Sequence, residues 1–213
     1  MDSLDKQKQQ IIGSLLKTIP ENEKTLNLMA NIISSDQADL VAKKWSGLCF
    51  YIAYIDNEVK YMLQAVLSDQ KAFIYLDKYL ALIMHEAIET LPDLYSDFFK
   101  TLREVESKDG YNRFDREQLT EGYRTYKEAI KPISSDKAFM QRLSAVRNRV
   151  AARHLDKDGN IHTLVDWYTE KRQEIGKQNN PGISSFILYV AQVSQALYPL
   201  AQSLTYAVQA KTE

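Results

Sequence analysis

The stretch KAFIYLDKYLALIMHEAIETL (residues 71–91) decides the fold class. Its run from Tyr79 to Met84 leaves little room for a polar face. A helix that is apolar nearly all round belongs inside a bundle, so this segment is expected at the centre. Upstream, from Asp36 to about Leu67, the residues Leu40, Trp45, Leu48, Ile52, Ile55, Val59, Met62 and Val66 recur at helical spacing and predict one long helix. Ser68-Asp69 marks the break between the two. Farther upstream, Leu4 to Ile19 reads as an amphipathic helix stopped by Pro20. Glu21 to Ile33 reads as another, ending at the cap signal Ser34-Ser35-Asp36.

Downstream, Pro92 is expected to end the central helix, with Asp93 or Ser96 capping the next one, which runs to about Ser107. Lys108 to Asn112 reads as a loop, and Asp115 to Ile130 as a more polar helix stopped by Lys131-Pro132. A helix from Ser135 to His154 follows, then a turn at Asp156 to Asn160 and a helix from His162 to Ile175. After the loop GKQNNPG (residues 176–182), a last long helix spans Ile183 to Ala210. The expectation is an all-α, up-and-down helical bundle of about eight helices. Residues 1–34 form an N-terminal helical extension and residues 35–213 the bundle domain. Seven glycines and five prolines are few, and no Asn-Gly or Asp-Gly turn joins alternating apolar runs, which argues against a β-rich fold.

The net charge of −1, from 27 basic and 28 acidic residues, gives no global attraction to nucleic acid or membrane. The distribution is uneven: Lys131 to Lys177 holds 10 basic against 6 acidic residues. The single cysteine, Cys49, excludes an internal disulfide and a cysteine-based zinc site. It lies in the apolar run Leu48 to Ile52, where a buried, inert thiol is expected. The N-terminus lacks the apolar core of a signal peptide, and no window reaches the ~20 apolar residues of a membrane span. A cytoplasmic protein without a membrane partner is therefore expected.

Chemistry is concentrated in SSDKAFMQRLSAVRNRVAARHLDKDG (residues 134–159). Phe139, Leu143, Val146 and Val150 fall on one stripe of a helix. Arg147 and His154 are seven residues apart, within ~20° of each other on the helix circumference, so they can share one groove edge. Arg142, Arg149 and Arg153 form a second basic row on the other flank of the stripe.

Arg147-Asn148, five residues and then His154 resembles the Arg-polar-(four to six residues)-His motif of the HEPN superfamily. These are α-helical proteins that include metal-independent ribonucleases of phage-defence and toxin systems. Ala152-Arg153-His154-Leu155-Asp156 is similar to the Ala-His-x-Asp ending of the abortive-infection branch, with Arg153 inserted into the usual spacing. The helix ending Met84-His85-Glu86-Ala87 is similar to a family helix that carries an inward acidic residue.

The resemblance implies RNA cleavage in which the ribose 2′-hydroxyl attacks its own phosphate, with no cofactor or metal. His154 would be the acid or base and Arg147 the clamp on the extra negative charge at phosphorus. Asn148 would be an orienting group, and Glu86 would orient His154 or pair with Arg147. Asn148 lies well around the helix from His154, so it serves either a dimer mate or a local cap. Arg142, Arg149 and Arg153 would bind RNA. A homodimer with a composite cleft, and an antitoxin protein as partner, are implied by the same resemblance. The alternative for Arg147 and His154 is a core-edge pair satisfied by backbone carbonyls near a helix C-terminus, in a non-catalytic helical interaction module.

A second constellation, Glu86-x-x-Glu89 and Glu106-x-x-Asp109, resembles the magnesium-holding pairs of the all-α NTP pyrophosphohydrolases. With a helix break at Pro92, the antiparallel neighbour of Glu86 would lie near Phe98, which misses Glu106 by ~12 Å along the axis. Asp156 to Asn160 starts like an EF-hand loop. Ile161 stands at its glycine position and Trp167 at its glutamate position, so a helix-helix turn at Gly159 is the better account. His85-Glu86 is not followed by the second histidine of a zinc protease.

Overall fold

A computed structural model describes residues 13, 16–109, 113–145 and 185–208. The chain is all-α. Its helices are α1 (Ile19–Ser34), α2 (Leu40–Ser68), α3 (Phe73–His85), α4 (Leu91–Asp109), α5 (Arg116–Ser134), α6 (Lys137–Ala145) and α7 (Ser185–Tyr206). A 3-10 turn at Gln70–Ala72 separates α2 from α3. A π-helical turn at Glu86–Thr90 joins α3 to α4 without a break. Counting α3, the π turn and α4 as one rod, the described residues form six helical rods, joined by an isolated antiparallel bridge between Phe114 and Val208. Among the described residues two expected helices, on either side of Pro92, are fused into this rod. Most of the expected helix before Pro20, and the one at residues 162–175, lie outside the described residues.

Local chemistry sets most boundaries. Asp39, Asp115 and Asp136 each accept a bond from a backbone N–H three residues ahead, Ala42 at 2.8 Å, Gln118 at 3.0 Å and Phe139 at 3.0 Å. Each satisfies one of the orphan donors of a first helical turn. Burial pushes the Asp39 carboxyl up, but the Ala42 bond and the Arg113 guanidinium outweigh it and hold Asp39 below the usual carboxylate range. At the other end of α2, Asp69 accepts from the Lys71 N–H at 2.9 Å and starts the 3-10 turn, where the sequence marks a break.

Pro92 and Pro132 behave differently from the sequence expectation. Pro20 lies in the first turn of α1, a position where its missing N–H costs nothing. Pro132 lies in the last turn of α5, which continues to Ser134. The carbonyl it leaves unmatched belongs to exposed Glu128, where water can satisfy it.

Pro92 does not end the central helix; the chain runs through it as one 37-residue rod, Phe73 to Asp109. The reason is visible in the ladder. The Leu91 N–H reaches back five residues to the Glu86 carbonyl, and Pro92 has no N–H to offer, so the Ala87 carbonyl is left over. Tyr126 on α5 supplies the missing donor, its hydroxyl 2.6 Å from that oxygen.

Four rods close into a ring of antiparallel neighbours. Tyr51 meets Glu86 at 2.9 Å and Lys44 meets Asp97 at 2.5 Å, which sets α2 against the α3–α4 rod. Tyr95 meets the Leu119 carbonyl at 2.8 Å, and Tyr126 meets Ala87, which sets that rod against α5. Gln192 meets the Ala129 carbonyl at 2.9 Å and Ser203 abuts Gly122, which sets α5 against α7. Ser194 meets Asp56 at 2.8 Å and Trp45 meets the Leu204 carbonyl at 3.2 Å, which closes α7 on α2. Helix α1 packs along α2, and α6 packs against α3 and α5.

The segment that decides the fold class is central as expected: Leu80, Met84, Ala87 and Leu91 are completely buried. Burial of such a leucine or methionine contributes ~1.5–3 kcal/mol. Leu143 of α6 is buried and Phe139 packs against the core, with its ring edge-on to Tyr189 at 4.8 Å. Two interfaces differ in what fills them. Tyr95 and Tyr126 bridge the rod and α5, whereas α5 and α7 approach so closely that a Cβ on Gly122 would overlap both Cβ and Oγ of Ser203.

Two substitutions probe these helix contacts. Gly122→Ala forces α5 and α7 apart and is expected to cost ~1–3 kcal/mol in urea denaturation, with Ser203→Gly restoring part of the loss. Tyr126→Phe leaves the Ala87 carbonyl buried without a donor and is expected to cost ~1–3 kcal/mol. Combined with Pro92→Ala, which returns an N–H to the ladder, the same change costs less; strict additivity in that double-mutant cycle would contradict the linkage.

Candidate functional site

Of the residues singled out by sequence, Glu86 is placed at the start of the π turn, half-buried, directly after the apolar helix that carries it. Arg142 lies on α6. Arg147, Asn148, Arg149, Arg153 and His154 lie outside the described residues, as do the Asp156–Asn160 turn and the residue 176–182 loop. α6, which opens the segment that continues to Arg147 and His154, packs against α3, which leads into His85 and Glu86.

Glu86 is engaged by α2. The Tyr51 hydroxyl donates to its Oε2 at 2.9 Å. Burial, and then the adjacent carboxylate, push the Tyr51 phenol well above its usual range, so it stays protonated and a donor. A wider turn of helix places Glu86 here: π turns redirect side chains relative to an unbroken α-helix, and recur at functional sites. The carboxylate is thus pre-positioned on a packed rod, where its rotamer is set by a phenol from a second helix.

Sequence reading missed a buried polar network one turn farther along α2. Asp56, Asn57 and Lys60 are all buried. Asp56 accepts from Lys60 on its own helix, from Asn22 of α1 at 2.8 Å and from Ser194 of α7 at 2.8 Å. Asn22 also donates to Asn57 at 2.8 Å, and Lys60 also reaches the Thr18 hydroxyl. Three helices therefore meet on one carboxylate. Buried ion pairs add little net stability, but removing one partner strands the other charge, so the network fixes the seating of α1. The i,i+4 spacing of Asp56 and Lys60 was the available signal, and it reads equally well as a solvated pair.

The carboxylates of the magnesium-like constellation do not converge. Glu86 and Glu106 lie on the same rod, twenty residues apart, or about 30 Å of helical path. Glu106 is buried, with Oε2 held by the Arg116 guanidinium, its Nε at 2.6 Å. Among the described residues no group of three or more His, Cys, Asp or Glu side chains could hold a metal ion. Cys49 is buried, and burial pushes its thiol up to about 12, which makes it a poor nucleophile. No helix among the described residues is long and apolar enough to cross a membrane. No protein-family model, curated protein or solved structure matches the chain.

Tyr51, Tyr95 and Tyr126 are all held above the ordinary tyrosine range, primarily by burial. A raised folded-state value favours the protonated form. Its contribution is therefore fully present below the unfolded value near pH 10 and is lost as pH rises toward the folded value. Stability is expected to hold through neutral pH and fall above about pH 10, less steeply in Tyr51→Phe because one of the three linked phenols is gone. Urea midpoints across the alkaline range read both; equal slopes for wild type and variant would contradict it.

Proposed function

We propose that this chain is a HEPN-like RNA-binding or RNA-cleaving protein of a phage-defence or toxin-antitoxin type system, a cytoplasmic ribonuclease that needs no metal. The observation that carries the reading is the packing of α6 on α3. It makes neighbours of the helix opening the Arg147–His154 segment and the helix leading into Glu86. The all-α, antiparallel bundle also supports it.

In the proposed reaction His154 takes the proton of a ribose 2′-hydroxyl, which attacks the adjacent phosphate to form the 2′,3′-cyclic ester, and the imidazolium so formed gives its proton to the 5′-oxygen as the P–O5′ bond breaks. Arg147 holds the added negative charge on the phosphoryl oxygens, where a guanidinium fork is matched to two oxygens at once. Glu86, already fixed by Tyr51, orients the imidazole or pairs with Arg147, and Asn148 supplies an orienting hydrogen bond. Arg142, Arg149 and Arg153 contact RNA. Two copies of the chain form the cleft, and an antitoxin protein restrains it.

Incubation of total RNA with the purified protein in EDTA is expected to yield fragments ending in 2′,3′-cyclic phosphate. His154→Ala is expected to lower the rate ~10²–10⁴-fold, the usual contribution of a positioned acid or base. RNA left intact by the wild-type protein would overturn the proposal.

A further inference from the structure

A second surface, on the other side of Tyr51 from the core, carries a different chemistry. Tyr54 and Tyr61 are seven residues apart on α2, hence on one face and about 10 Å apart along it, and they are 46% and 50% exposed. The Tyr54 hydroxyl donates to Glu58 at 2.8 Å and the Tyr61 hydroxyl to Glu23 of α1 at 3.2 Å. Each ring is thus steadied by a carboxylate at its rim; Tyr54 is also stacked on Phe50 on one side, centroids 6.2 Å apart, and about half of each tyrosine remains exposed. The Tyr51–Glu86 contact sets the antiparallel register, so Tyr79, seven residues before Glu86, comes level with Glu58, seven residues after Tyr51. Tyr79 is 41% exposed, and the Lys78 ammonium already sits 4.8 Å from its ring centre.

We propose that the face formed by Tyr54, Glu58, Tyr61 and Tyr79 is a docking site for an arginine-bearing segment of a partner protein. Aromatic faces attract guanidinium groups, and carboxylates beside them add a charge-assisted hydrogen bond. Among the described residues no lysine or arginine is ion-paired with Glu58 or Glu23, and Lys78 lies over the Tyr79 ring rather than on either carboxylate. The same carboxylates repel phosphate, which sets this face apart from any RNA-binding edge. Arginines three residues apart on an extended segment are about 10 Å apart, matching the spacing of Tyr54 and Tyr61. The site therefore reads spacing as well as charge.

The test uses fluorescein-labelled nonapeptides and anisotropy with the full chain. One peptide carries arginine at every third position with serine between; the other has the same composition with its arginines adjacent. The spaced peptide is expected to bind several-fold more tightly. Tyr54→Ser with Tyr61→Ser is expected to weaken it about tenfold, as loss of two exposed cation–π contacts implies. Tyr54→Phe with Tyr61→Phe, which keeps the rings, is expected to retain most of the binding. These side chains are exposed, and circular dichroism checks that the variants fold. Equal binding of the two peptides, or binding unchanged by the serine variant, would show attraction by net charge alone and overturn the proposal.

Discussion

The bond from the Tyr126 hydroxyl to the Ala87 carbonyl is the constraint on which the bundle turns. A proline inside a helix removes a donor and leaves a carbonyl that water cannot reach when the helix is central. In this chain that carbonyl sits on a completely buried residue, so a side chain from another rod must satisfy it. Because Tyr126 does so, the helix continues as a 37-residue rod, and every contact of α4 inherits its position from the π turn. The same turn presents Glu86 to Tyr51, which fixes the register of α2. One phenol thus links the continuity of the rod to the placement of the carboxylate the proposed chemistry calls on.

Side-chain volume then decides how the four rods close. Stacked Tyr95 and Tyr123, with centroids 4.3 Å apart, and buried Tyr126 hold the rod and α5 apart. Gly122 against Ser203 lets α5 and α7 nearly touch. A ring with one wide and one narrow interface has a single way to close, because exchanging the neighbours would bury a void on one side and overlap atoms on the other. The Asp56 network performs the same service for α1 with charge instead of volume. A carboxylate met by three donors from three helices has one seating that satisfies all of them.

The two proposed surfaces differ in charge. Arginines crowd the segment that begins on α6, whereas α2 presents two tyrosines bonded to glutamates of α2 and α1. In the proposed scheme a phosphate backbone is drawn to the first and repelled by the second, so the two proposed ligands do not compete for one site.

By itself the sequence determined the helical class, the central place of residues 71–91, the break at Ser68-Asp69 and the inert burial of Cys49, because periodicity, capping aspartates and apolar runs act over a few residues. It also marked Glu86 as a carboxylate at the end of an apolar helix. Only the tertiary structure decided that Pro92 would be crossed rather than obeyed, since the donor that rescues the Ala87 carbonyl lies 39 residues away. It also decided that Asp56 and Lys60 would be buried, and that Glu86 and Glu106 would share one rod. A local pattern states what a backbone prefers; which unsatisfied groups find partners depends on segments distant in sequence that packing brings together.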